Sequence, residues 1–236
     1  PFGYMPITLR YFEGANLQNL IDFTERWDFP RNAQMRQTTL PFVKCPSQVE
    51  VEPYDEFQGN TLTVVDGPQR AHYWAVNGAR VSDACPGVEP NEITSCSPVG
   101  RQRGHHATNG IMYPLSAVRH GQITDGTSNT LLIAECSWDF GSGGPWFAGA
   151  AFWGGEYDDP ARIAFMMTRG GDGMWTYNQA HVFWRLEERA WDAAHTPEVA
   201  KRNELSFGSK QPAVVNFGLA DGAARPVRKD VELIVL

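Results

Sequence analysis

Two stretches of the chain place an apolar run directly against an Asp-Gly corner, and the predicted architecture starts from them. In the middle, Ile123-Thr124-Asp125-Gly126-Thr127-Ser128-Asn129 leads into Thr130-Leu131-Leu132-Ile133-Ala134-Glu135, a polar turn followed by an apolar run as long as one buried strand. Asp-Gly supplies the left-handed angles of a sharp turn, and Thr127, Ser128 and Asn129 can bond neighbouring amides and hold it shut. Near the end, the run from Ala213 to Ala220 meets Asp221-Gly222 and returns through Ala223-Ala224-Arg225-Pro226-Val227, which predicts a hairpin with a two-residue loop.

Other elements are shorter. Leu17, Leu20 and Ile21 recur at helical spacing after Glu13-Gly14, so a short helix is expected from about Ala15, while Ile7 to Phe12 fits either strand or helix. Asn32 is placed to cap a second short helix through Thr38, and Leu40 to Ser47 reads as extended chain stopped by proline. Thr61 to Val65 and His72 to Val76 look like strands. Loop-rich insertions are expected near residues 82–109 and 138–200, the second interrupted by a helix from about Val182 to Ala194, where Phe183, Leu186, Glu187, Ala190, Trp191 and Ala194 recur at helical spacing.

With 23 glycines and 16 prolines scattered through 236 residues, turns are frequent and long helices few. The expected fold is one α+β domain spanning residues 1–236, β-rich, with an antiparallel sheet and a few short helices. A formal charge of -7 disfavours a nucleic-acid partner, which needs a basic face. No apolar run is long enough to span a bilayer, and the chain starts at Pro1 without a methionine, as a fragment or processed product would. Cys45, Cys85, Cys96 and Cys136 allow three pairings. Cys85 and Cys96 bracket a polar loop that a bridge would close, leaving Cys45 with Cys136; four buried thiols are the other reading.

Candidate chemistry is sparse. Asp125, Thr127 and Asn129 alternate as the first ligands of an EF-hand loop do, but Thr130 stands where its glycine belongs and Cys136 where its last glutamate belongs. A looser calcium site would use Asp125, Asn129 and Glu135, against a self-bonded turn before a strand. Calcium is the one candidate ion, and no cofactor is expected. His105, His106 and His120 lack zinc-site spacing, and adjacent histidines on extended chain face opposite ways. No nucleophile elbow is present, and Asp158 with Asp159, or Glu187 with Glu188, read as surface charge, so an enzyme is not expected. Trp138, Trp146, Trp153 and Trp175 either stack on sugar rings as a glycan-binding face or fill a core.

Four pieces, in order, carry a resemblance. They are Leu9-Arg10-Tyr11-Phe12-Glu13-Gly14-Ala15-Asn16-Leu17, then Phe42-Val43-Lys44-Cys45-Pro46-Ser47, then Asn109-Gly110-Ile111 with the central stretch 123–131, and finally Val215-Asn216-Phe217 through Asp221-Gly222. Together they resemble the domain-of-unknown-function 1559 family, prepilin-type secreted proteins expanded in planctomycete bacteria. The resemblance implies a pseudopilin-like globular head, with a cleavage site and hydrophobic helix ahead of Pro1 as its membrane attachment. It further implies a cell-surface or extracellular location, and self-association or partners among other pseudopilin-like subunits. The family's C-terminal signature, His, nine residues, Asp-Gly, meets Gln211 at the histidine position, so no role of that histidine carries over. A secreted glycan-binding module is the alternative function.

Overall fold

The apolar runs beside the two Asp-Gly corners are neighbouring strands of one sheet in the computed structural model, which describes residues 2–27, 29–48, 69–79, 109–113, 116–136, 146–152, 174–176, 178–182, 186–187 and 206–232. The strands are β1 (Tyr73–Ala79), β2 (Leu131–Glu135), β3 (Ala150–Phe152), β4 (Met174–Thr176), β5 (Gln179–Val182), β6 (Val214–Leu219) and β7 (Ala224–Arg228). Five of them form a sheet in the order β5-β1-β2-β6-β7, and β3 pairs with β4 separately. The α+β expectation holds in outline, but the sheet is mixed rather than purely antiparallel. β5 runs parallel to β1, a pairing that the long stretch of chain between them permits and a short hairpin would forbid.

Alternation in β1 assigns the core to two faces. Trp74 and Val76 join Ala134, Ala180, Val215, Phe207 and Phe217 on one side, whereas Tyr73, one residue earlier, packs against the N-terminal segment on the other. That second side is built from Met5, Leu9, Trp27, Met35, Trp146 and Phe147, with Trp146 set edge-on to Phe147 at 5.5 Å. Each such side chain contributes about 1.5–3 kcal/mol by leaving water.

The N-terminal segment is a string of single turns: α1 (Tyr4–Thr8), a 3-10 turn at Leu9–Phe12, α2 (Ala15–Gln18) and α3 (Ala33–Arg36). Asn32 does precede α3, yet it makes no capping bond. Its Oδ1 accepts the Asp22 N–H at 2.9 Å, and its Nδ2 donates to Asp22 O at 3.1 Å and Arg26 O at 3.0 Å, so this fully buried amide closes the preceding loop instead. The stretch read as extended from Leu40 contains a 3-10 turn at Pro41–Val43, started by the proline whose missing N–H suits a first helical position. The helix expected from Val182 is not formed through Glu187: Val182 ends β5, and Glu187 has a left-handed φ of 61° that a helix interior excludes. Residues 188–194, the strand expected at 61–65, and nearly all of the first insertion lie outside the described residues.

The C-terminal hairpin differs from expectation by one residue. Leu219 N donates to Ala223 O at 2.8 Å and Gly222 N to Leu219 O at 3.0 Å, leaving three loop residues, 220–222. A two-residue type I′ loop needs two successive positive φ angles, and here only Gly222 has one, 87°. The bonds from Leu219 and from Lys229 N to Ala213 O set the ladder's phase, so the Asn216–Pro226 pair falls at a position without mutual hydrogen bonds. The missing N–H of Pro226 therefore lies on the outer edge of β7, where a further strand would need a donor.

Gly78 makes the tightest approach in the sheet. At φ 139° it sits against Asn109-Gly110, whose amide donates to Asn77 O at 2.9 Å, and a Cβ at Gly78 would lie 2.5 Å from Gly110 N. A Cβ on Gly222 would have nothing within 4 Å, so Gly222→Ala should cost only the conformational penalty of about 1–2 kcal/mol. Gly78→Ala should cost clearly more, read as a larger fall in urea midpoint; equal losses would mean that the Asn109-Gly110 contact does not form.

Candidate functional site

Ala134 and Cys136 face the Trp74 side of the sheet, so strand alternation sends the side chain of Glu135 to the Tyr73 side, where it is 1% exposed. Both carboxylate oxygens are engaged. Oε2 accepts the backbone N–H of Asn216 at 2.8 Å, and Oε1 accepts the Cys45 thiol at 3.5 Å. The ladder between β2 and β6 stops at Ala134–Phe217, after which the Glu135 carbonyl turns to Gly208 N at 3.0 Å. The carboxylate supplies an acceptor for the β6 amide just beyond that point.

Cys45 is fixed on this spot by its neighbours. Its backbone N–H donates to His72 Nδ1 at 3.0 Å, His72 N donates to Val43 O at 2.9 Å, and His72 O accepts the Cys136 N–H at 2.8 Å. Because Nδ1 accepts, the neutral ring carries its proton on Nε2. Burial, with Lys44 and Arg70 adding like charge, pushes the His72 pKa down to about 4. Tyr73, the cross-strand partner of Glu135, has its phenol pushed up to about 12, first by burial and then by Cys45 and Glu135. The Tyr4 hydroxyl donates to Tyr73 O at 2.8 Å and pins α1 to the same strand. The imidazole acceptor is occupied by the backbone of Cys45 rather than by its thiol, and the arrangement joins the N-terminal segment, β1, β2 and β6.

The residues singled out in the sequence are distributed differently. Cys45 and Cys136 are both buried thiols, which corrects the bridge between them. Cys136 follows Glu135 and faces the opposite side, with its Sγ 3.7 Å from Ser206 O, so the two sulfurs are directed away from each other. Cys85 and Cys96 lie outside the described residues. The calcium set is also separated: Asn129 Nδ2 bonds Asp125 O at 3.1 Å in the turn before β2, whereas Glu135 is the last of the five residues of that strand, roughly 13 Å beyond its first. Among the described residues no three His, Cys, Asp or Glu side chains gather as a metal site.

Trp146 is 0% exposed, with its Nε1 donating to Thr38 O at 3.0 Å, so it fills the core and cannot stack on a sugar. Trp138 and Trp153 and the side chain of Trp175, on β4, lie outside the described residues. The two Asp-Gly corners touch: Asp221 N donates to Thr127 O at 3.1 Å and Ala220 N to Thr130 O at 2.9 Å. Gln211 stands on the approach to β6 with its N–H on Ser209 Oγ at 3.1 Å. Glu187 is ion-paired with Lys229 at 2.5 Å, and exposed His120 sits in the 3-10 turn His120–Gln122.

Two surface features complete the picture. On the Trp74 side, a cleft of about 560 Å³ opens beneath β6 and β7, lined by Leu131, Phe217, Leu219, Val227 and Val231, with Arg225 on its wall. On the Tyr73 side, the N-terminal turns expose Ile7, Tyr11, Phe12 and Phe42; Tyr11 is 78% exposed, and the rings of Phe12 and Phe42 stack at 5.1 Å. Sequence patterning points to neither surface feature.

A family described as a protein of unknown function (DUF1559) matches residues 3–233. No curated protein and no solved structure matches the chain. Among the described residues no helix is long and apolar enough to cross a membrane.

Glu135→Leu strands the Asn216 amide and should lower stability by about 1–3 kcal/mol in urea unfolding, while Glu135→Gln, which keeps one acceptor oxygen, should lose less. A neutral Glu135→Leu would remove the carboxylate's joining role. His72 gives a pH dependence of definite sign. Its folded pKa of about 4 lies below the unfolded value near 6.5, so between these the unfolded chain binds more protons. Stability from this residue is complete above about pH 6.5 and falls as pH drops toward 4. His72→Asn, retaining an acceptor for the Cys45 amide, should flatten the urea-midpoint profile across that window.

Proposed function

Given that the chain belongs to the DUF1559 family of proteins of unknown function, we propose that it is a non-catalytic structural subunit of the cell surface or secretion apparatus, a pseudopilin-like head that assembles with copies of itself or related subunits. The observation supporting this reading is where its exposed apolar surface falls. Among the described residues, every large exposed hydrophobic side chain, Ile7, Tyr11, Phe12, Leu20, Phe23, Phe29 and Phe42, belongs to the N-terminal stretch between residues 7 and 42. Apolar side chains concentrated this way are characteristic of a surface that another molecule covers, and covering them gains about 25 cal/mol per Å².

In this reading the sheet and its Glu135 junction are a rigid mount. The working surface is the N-terminal segment, held to β1 through Tyr4 and Cys45. In the same reading, export places the domain outside the cell. The glycan-binding alternative loses Trp146, which is enclosed in the core.

Sedimentation velocity on the 236-residue chain over a rising concentration series should show reversible self-association, weakened at least fivefold in a Tyr11→Ser, Phe12→Ser variant whose circular dichroism is unchanged. A wild-type chain that stays monomeric throughout, or association indifferent to those changes, would sink this reading.

A further inference from the structure

We propose that the contact between copies is head-to-tail: the aromatic knob of Tyr11, Phe12 and Phe42 on one copy enters the cleft beneath β6 and β7 of the next. This rests on the self-assembly reading above and specifies its geometry. The knob and the cleft belong to opposite sides of the sheet, because the knob's turns pack through Met5 and Leu9 on the Tyr73 side, whereas the cleft shares Phe217, Leu131 and Val227 with the Trp74 side. A convex and a concave apolar surface on opposite sides of one molecule cannot satisfy each other within a two-fold pair. They join successive copies in one direction, and such a contact continues unless its rotation closes a ring.

Size and charge agree with this occupant. The cleft, about 560 Å³, falls within the ~300–1,000 Å³ typical of ligand pockets, room enough for aromatic rings. Arg225 is exposed on the cleft and makes no ion pair among the described residues; its neighbour Arg228 is instead held by Asp230 at 2.5 Å. On the knob, Glu13 directly follows Phe12, is exposed, and likewise makes no ion pair among the described residues. Docking the aromatic pair in the cleft allows Glu13 of one copy to face Arg225 of the next. Pro226 removes a donor from the outer edge of β7, so strand addition there is disfavoured and the contact is one of side chains.

Charge reversal in trans tests the geometry. Arg225→Glu and Glu13→Arg should each weaken self-association about fivefold in sedimentation velocity, since each places like charges at the contact. Mixing the two variants should restore assembly to the wild-type level. In an alternating array, the arginine introduced by Glu13→Arg meets the glutamate introduced by Arg225→Glu, and at the next junction the unchanged Glu13 meets the unchanged Arg225. Arg225→Glu associating as tightly as wild type, or the mixture remaining as weak as either variant, would overturn the head-to-tail contact while leaving self-assembly standing. A wild-type chain monomeric at every concentration would overturn both.

Discussion

A buried carboxylate that makes no ion pair among the described residues is the constraint on which this structure turns. Glu135 ends the central strand of a sheet, out of water, and its side-chain oxygens are satisfied there because a backbone amide of β6 and the Cys45 thiol both donate to them. Those donors arrive from different parts of the chain. One comes from a strand more than eighty residues later, the other from the N-terminal segment ninety residues earlier, so placing this group correctly requires all of these segments to be in register at once. An apolar residue at 135 would leave the Asn216 amide without its acceptor and remove the one side chain that bonds both β6 and the N-terminal segment.

The same junction explains why the molecule has two dissimilar sides. On the Trp74 side the sheet is covered by residues from its own strands and the 206–209 segment, and packing is largely hydrocarbon. On the Tyr73 side the cover is a sequence of single helical turns, too short to be stable alone, held by individual hydrogen bonds: Tyr4 to Tyr73, Asn32 to its own loop, Gln18 to Pro6 and Ile7, and Trp146 to Thr38. Turns anchored at so many points can hold aromatic rings outward without collapsing over them.

The parts of this architecture visible in the sequence are those governed by local rules. The Asp-Gly corners, the run 131–135 and the β6–β7 hairpin each carry their signal within a dozen residues, because turn angles and period-two alternation are local properties. What differs has two sources. Asn32 suits a cap, but its side chain is claimed by Asp22 and Arg26 in its own preceding loop, one local bond winning over another; the other differences are decided over distance. Leu186 and its apolar neighbours kept helical spacing while Glu187 took a left-handed angle, with its N–H on Phe207 O. Glu135 fits an oxygen-ligand set or a strand end in sequence, and in the structure it accepts hydrogen bonds from Asn216 and Cys45, a role set by residues that no window around it contains. Of the two readings open for Trp146, sugar platform or core filler, the structure has the second, and the choice is not local, since an aromatic residue in glycine-rich sequence looks the same whether it faces out or in.

Pro226 has a consequence for any repeating assembly of such units. Copies held at high local density bring their sheets close together, and an open row of amides along an outermost strand invites irreversible fusion into a cross-β stack. A proline at the centre of β7 interrupts that row, so crowded neighbours can come together and separate again as intact, individually folded bodies.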